Sequence, residues 1–210
     1  MRQYKKSRFM MAFVKITGYL PALLFLKPKV YYAEKALKKL PKPCILMSNH
    51  TSLIDFVLYL ILFPFRNIRF LMAEVLFNKS KLFSWFLFKI GGIFVDRDAF
   101  DFSFVGETIK VLENKETVGI FPQGRLPMKG ISYSFKPSVV YIALRCNYPI
   151  IPVYTNGVYS LFKRARVVIG EPIYLKEICK TENPSKEELE ELTQFLEDKT
   201  YKLAEEIKSR

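Results

Sequence analysis

One histidine, His50, occurs in the 210 residues, and Asp55 follows five positions later. Imidazole is the side chain whose unperturbed pKa lies nearest neutrality, so His50 is the natural candidate for proton transfer. A carboxylate bonded to such a ring fixes its tautomer and stabilises the imidazolium that forms. Spacing restricts how the two can meet. At about 100° per residue, positions five apart on one helix point roughly 140° away from each other. The pair therefore needs His50 in a loop and Asp55 in the first turn of a helix. The flanking residues predict that arrangement. Lys42-Pro43-Cys44-Ile45-Leu46-Met47 reads as a short buried strand, and Ser52-Leu53-Ile54-Asp55 as a helix start of the Ser-x-x-acid kind. The same residues also describe an ordinary helix start, in which Asp55 only caps and His50 is a loop residue with its hydrogen bonds satisfied.

The remaining elements alternate. Leu53 to Phe65 is an apolar run of buried-helix length, and Asn67 to Ala73 reads as a strand. Glu74 to Lys89 predicts one helix rich in bulky groups, which either line an acyl groove or pack as ordinary core; core packing is the simpler reading. A glycine-led strand covers Gly91 to Asp98, a helix Phe102 to Asn114, and a strand Thr117 to Phe121 that runs into Pro122-Gln123-Gly124-Arg125. Pro137 to Cys146 is helical. Tyr148 to Tyr154 is a strand with proline at an entry or bulge, and Arg166 to Ile169 is another. From Pro184 a charged helix presents Leu189, Leu192, Leu196, Leu203 and Ile207 at near-helical spacing, a face that docks on its own domain. This order predicts an α/β fold with a mainly parallel central sheet flanked by helices. The expected organisation is a basic, membrane-associating segment over 1–42 and one α/β domain over 43–210 that ends in the amphipathic helix.

Charge separates these two parts. The net charge is +13, and residues 1–42 hold eleven Lys or Arg against one acid, Glu34, so that segment carries +10. Its apolar run, Phe9 to Leu26, contains Lys15, Gly18 and Pro21 and is flanked by lysines. A spanning helix wants about 20 apolar residues, and a lysine in its middle is costly. The preferred expectation is a helix bent or broken near Pro21, lying on an anionic membrane at its cytoplasmic face with lysines reaching the headgroups. A true span and a soluble core helix are the alternatives. A nucleic-acid binder would spread its basic residues over the folded domain, so nucleic acid is not an expected partner. Cys44, Cys146 and Cys179 are odd in number and form no C-x-x-C, which suits reduced, mostly buried thiols. No metal site or cofactor is expected.

Four sites then stand in order: Asn49-His50 with Asp55, Gly92-Ile93-Phe94-Val95-Asp96-Arg97, Phe121-Pro122-Gln123-Gly124-Arg125, and Ile151-Pro152-Val153. Each follows or ends a strand, where α/β proteins place ligands. Together they resemble the glycerolipid acyltransferase family, typified by 1-acylglycerol-3-phosphate acyltransferase. The resemblance covers about residues 44–154. It implies one-step acyl transfer, with His50 as general base on the free hydroxyl of a lysophospholipid and Asp55 orienting the ring. The donor would be a thioester, acyl-CoA or acyl carrier protein. Backbone N–H groups at the helix start would serve the oxyanion. Asn49, Arg97, Gln123, Gly124 and Arg125 would form the acceptor site, with Arg97 on the phosphate and Gly124 allowing close backbone approach. The third motif departs from the family form Phe-Pro-Glu-Gly-Thr-Arg. Gln123 replaces the glutamate, and the arginine comes one position early. Lysophosphatidate is the default acceptor, and this departure leaves another lysolipid open. A catalytically inactive membrane-binding relative and a hydrolase that activates water through His50 are the competing functions.

Overall fold

The predicted strands are short and largely buried, so each must pair on both sides or lie at an edge. A computed structural model describes residues 5–96, 103–128, 131, 133–179, 181 and 183–208. In chain order the elements are α1 (Arg8–Leu26), β1 (Lys29–Tyr32), β2 (Ile45–Ser48), α2 (Asp55–Leu62), β3 (Ile68–Ala73), α3 (Glu74–Phe77), α4 (Lys81–Lys89), β4 (Ile93–Val95), α5 (Ser103–Glu113), β5 (Thr117–Ile120), α6 (Ser138–Arg145), β6 (Ile150–Thr155), β7 (Arg166–Ile169), α7 (Leu175–Ile178) and α8 (Lys186–Lys208). The strands form one seven-stranded sheet in the order β1-β7-β6-β2-β5-β3-β4. Its pairs are parallel except β6 with β7, which is antiparallel. Pro152 sits in β6 one residue before that antiparallel ladder begins at Val153, so its missing N–H breaks no rung there.

Alternation along the strands feeds two cores. Ile45, Met47, Val118 and Ile120 face a cluster with α5, α6 and α8, including Leu112, Ile142 and Leu196. Leu46, Phe70, Ile151 and Val153 face the opposite cluster, with Leu26 of α1, Leu58 and Tyr59 of α2, Phe77 of α3 and Phe88 of α4. The predicted face of α8 does dock on its own domain: Leu189, Leu192, Leu196 and Leu203 are buried, and Ile207 packs beside Leu203.

Several expectations change. Residues 29–32, counted with the N-terminal segment from sequence, are an edge strand of the sheet, paired from Lys29 with Arg166 to Tyr32 with Ile169. The helix expected from Glu74 to Lys89 is two, because the Ser80 hydroxyl caps α4 by accepting from the Phe83 N–H at 3.1 Å. Helix α1 is not broken at Pro21. The proline removes one rung, but the following turn is held by buried Leu26 and by the Lys27 N–H bonded to Leu23 O at 2.9 Å. Lys15 does not reach outward from α1. Its ammonium donates to Pro64 O at 3.1 Å and also to Arg66 O, and burial lowers its pKa.

Candidate active site

Strand β2 ends at Ser48, and the chain turns through His50 into α2, whose first residue is Asp55. The geometry required by the spacing is therefore met: His50 Nδ1 lies 2.7 Å from Asp55 Oδ2. The carboxylate is completely buried and receives further hydrogen bonds on both oxygens. Thr51 N–H and Ser52 N–H donate to Oδ2 at 2.6 and 2.9 Å. The Thr51 hydroxyl donates to Oδ1 at 2.8 Å. The Tyr159 hydroxyl donates to Oδ1 as well. Burial alone would raise the Asp55 pKa. The bonds from His50, Ser52, Tyr159 and Thr51 together outweigh it and hold the carboxyl below its ordinary value. An ionised carboxylate only accepts, so Nδ1 of His50 carries the proton and Nε2 of the neutral ring is left as the acceptor.

Capping and holding the imidazole are thus not alternatives at Asp55. It reaches back to the Ser52 N–H, as in a capping box, while orienting His50. The Ser52 hydroxyl takes the Ile54 N–H at 3.2 Å, not that of Asp55. The expectation that N–H groups at the helix start serve an oxyanion is narrowed. Five of them are spent within the protein: His50 on Gln123, Thr51 and Ser52 on Asp55, Ile54 on Ser52 Oγ, and Asp55 on Ser52 O. These five do not serve an oxyanion.

The imidazole plane is set by stacking. His50 lies over Phe121 with ring centroids 4.3 Å apart and 14° between planes, and Phe121 lies over Phe70 at 5.7 Å and 10°. Phe70 finds its place because β5 carries Gly119 beneath it. A Cβ at Gly119 would sit 2.2 Å from Phe70 Cε1. Behind this stack Tyr59 is buried, with its hydroxyl bonded to Ser48 Oγ.

The residues expected to touch substrate divide. Asn49 is buried, and its side chain bridges the backbone of Thr155, donating to the carbonyl at 2.9 Å and accepting from the N–H at 2.8 Å. Gln123 is also buried. Its Oε1 accepts the His50 N–H at 2.7 Å, and its Nε2 donates to the Tyr201 hydroxyl at 3.0 Å. Both are corrected from substrate contacts to groups that position the loop bearing His50. Gln123 retains the acceptor oxygen this task needs, so losing the family's negative charge leaves the loop anchored. Gly124 closes the turn after β5 with φ +66°, its N–H bonded to Phe121 O at 2.9 Å. Arg125 is exposed beside that turn. Arg97 lies outside the described residues.

Three residues of the site were not foreseen from sequence: Thr51 and Tyr159, which bond to Asp55, and Lys136. The Lys136 side chain lies over the turn, with Cε 3.4 Å and Nζ 3.7 Å from where a Gly124 Cβ would be. Thr51 had one available signal, its place beside the histidine. Tyr159 and Lys136 carry no local pattern. Among the described residues no three His, Cys, Asp or Glu side chains gather where they would hold a metal ion.

Comparison with known proteins adds an independent line. The model of the family described as Acyltransferase matches residues 29–156. The chain is 29% identical over 169 residues to the 1-acyl-sn-glycerol-3-phosphate acyltransferase of Bacillus subtilis, covering 78% of this chain and 82% of that one. It is 31% identical over 127 residues to the human 1-acyl-sn-glycerol-3-phosphate acyltransferase beta, covering 58% and 42%. The fold is similar to the crystal structure of the 1-acyl-sn-glycerophosphate (LPA) acyltransferase PlsC from Thermotoga maritima, with TM-score 0.65, 23% identity, and coverage of 95% and 79%.

Proposed function

We propose that this chain, which belongs to the Acyltransferase family, moves a fatty acyl group from a thioester donor to the free hydroxyl of a lysophospholipid, by preference 1-acylglycerol-3-phosphate. The observation that carries the proposal is the His50–Asp55 pair, 2.7 Å apart with the carboxylate buried. Nε2 of His50 takes the proton of the acceptor hydroxyl. The alkoxide attacks the acyl carbonyl, and the tetrahedral intermediate expels the thiolate, which receives the proton from His50. Asp55 stays ionised and stabilises the imidazolium. The thioester, from acyl-CoA or acyl carrier protein, is itself the activated reactant, so the step calls for no cofactor.

The acceptor's phosphate is assigned to the turn beside His50. Gly124 brings no side chain to the turn, and Arg125 and Lys136 supply the cations. This arrangement suits the displaced arginine of the third motif, because Lys136 brings charge to the same turn from a different element.

The membrane location is supported by α1, which is long and apolar enough by length and composition to cross a membrane. Phe9, Phe13, Ile16, Leu20 and Leu24 form an exposed stripe at helical spacing. The helix is also fastened to the domain at both ends and in its middle. Ser7 N–H donates to Lys89 O at 3.0 Å, Lys15 to Pro64 O at 3.1 Å, and Lys27 to Leu161 O at 2.9 Å. A helix held along its length against the domain suits lying in the interface better than crossing the bilayer.

The test is acyl transfer by the purified protein in anionic mixed micelles, with labelled lysophosphatidate and palmitoyl-CoA or palmitoyl-acyl carrier protein. Labelled phosphatidate made by the wild type and lost in His50→Ala is the expected result. No product from either donor with any lysolipid, from a folded protein, overturns the proposal.

A further inference from the structure

The loop between β6 and β7, residues 156–165, is fixed at its base and apolar at its apex. At the base, Asn156 N–H donates to Arg166 O at 3.1 Å, and Arg166 N–H donates to Asn156 Oδ1 at 3.0 Å. Gly157 is pressed against the dyad loop: a Cβ there would lie 2.7 Å from Thr51 Cβ. Two residues on, Tyr159 donates to Asp55. Three residues further, Phe162 is 95% exposed, and its neighbour Leu161 is 55% exposed. A wholly exposed phenylalanine beside an exposed leucine is unusual on a surface that meets only water. Exposed Lys163 and Arg164 follow at once.

We infer that Leu161 and Phe162 are a second membrane contact of this protein, inserting among the headgroups of an anionic lipid surface while Lys163 and Arg164 meet lipid phosphates. The inference rests on the membrane location proposed above and deepens it. Two observations select lipid as the occupant. The apex combines apolar side chains with neighbouring cations and no acid between 156 and 166, the composition that anionic interfaces attract. The loop is also continuous with α1. Lys27, the C-cap of α1, donates to Leu161 O, and Ala165 N–H donates to Leu26 O at 3.0 Å. The C-terminal end of α1 therefore adjoins this loop.

The contact has a consequence for the reaction. Three residues of chain reach at most about 11 Å, so the backbone at Phe162 is no further than that from the backbone at Tyr159. Interfacial side chains lie about 5–10 Å into the boundary between headgroups and acyl chains. With the apex inserted, the backbone of Tyr159, whose hydroxyl bonds Asp55, is held within that reach of the interface.

The experiment uses the full chain with vesicles of phosphatidylcholine containing phosphatidylglycerol. Trp85, the one natural tryptophan, gives the reference signal in the wild type. In Phe162→Trp, the added emission shifts to the blue on vesicles and is quenched by lipids brominated in the acyl chain. In Leu161→Ser with Phe162→Ser, vesicle affinity by flotation falls about tenfold or more. Should the serine pair fail to fold, the Phe162→Trp variant, which keeps the apex apolar, still decides. Wild type that floats, while the emission added by Phe162→Trp is unshifted and unquenched, overturns the loop contact and leaves the α1 reading standing. Wild type that does not float overturns both.

Discussion

The Asp55 carboxylate is fully buried and accepts five hydrogen bonds, whereas Arg125 and Lys136, at the turn beside the same histidine, extend from the surface. The contrast follows the chemistry. Orienting an imidazole requires one geometry, and a low-dielectric, fully bonded site holds it without reorganisation. The phosphate role proposed for the turn would call instead for positive charge at a surface, which long side chains supply. Gln123 joins the two. It grips the His50 backbone from within the turn that carries Arg125.

Substitutions on each side should separate these roles. The largest effect is expected for His50→Ala, with kcat lower by about 10² to 10⁴ in the micelle assay and circular dichroism unchanged. A loss below about tenfold would remove the histidine from the chemistry. Asp55→Ala should lower both activity and stability, by about 3 kcal/mol in urea unfolding, because it strands several buried donors. Arg125→Ala should change stability by less than about 0.5 kcal/mol. Equal costs for the two would erase the contrast between the buried and exposed halves.

Next in size is Lys136→Ala. It should raise KM for lysophosphatidate about tenfold with kcat nearly unchanged, and Lys136→Arg should recover most of the loss. A kcat effect without a KM effect would move Lys136 from the acceptor to the dyad. The smallest effect is acid dependence. The folded Asp55 pKa lies below its ordinary value, so its ionised form adds stability that is complete above about pH 4 and lost as pH falls through the folded pKa. The stability gap between wild type and Asp55→Asn should therefore narrow below about pH 4. A gap that stays constant from neutral pH to well below that point would mean that the carboxylate is not held in its charged form.

The features legible in the residue order alone are local ones. The five-residue spacing of His50 and Asp55, read with helix geometry, required a loop histidine and a first-turn aspartate, and the two meet at 2.7 Å. Periodicity located the strands at the centre of the sheet and the docked face of α8, because burial on both sides or along one stripe leaves its mark in neighbouring residues. Folding in three dimensions settled the long-range pairings. It brought Tyr159 to Asp55 across 104 positions and Gln123 to His50 across 73. It paired Lys29–Tyr32 at the sheet edge, turned β7 antiparallel to β6, and drew Lys15 inward to backbone carbonyls. An edge strand is half exposed and lacks a full apolar run, and a hydrogen bond between distant residues leaves no periodic trace. Only the packed chain brings such partners together, because what selects them is the shape of the folded surface and not the order of residues along it.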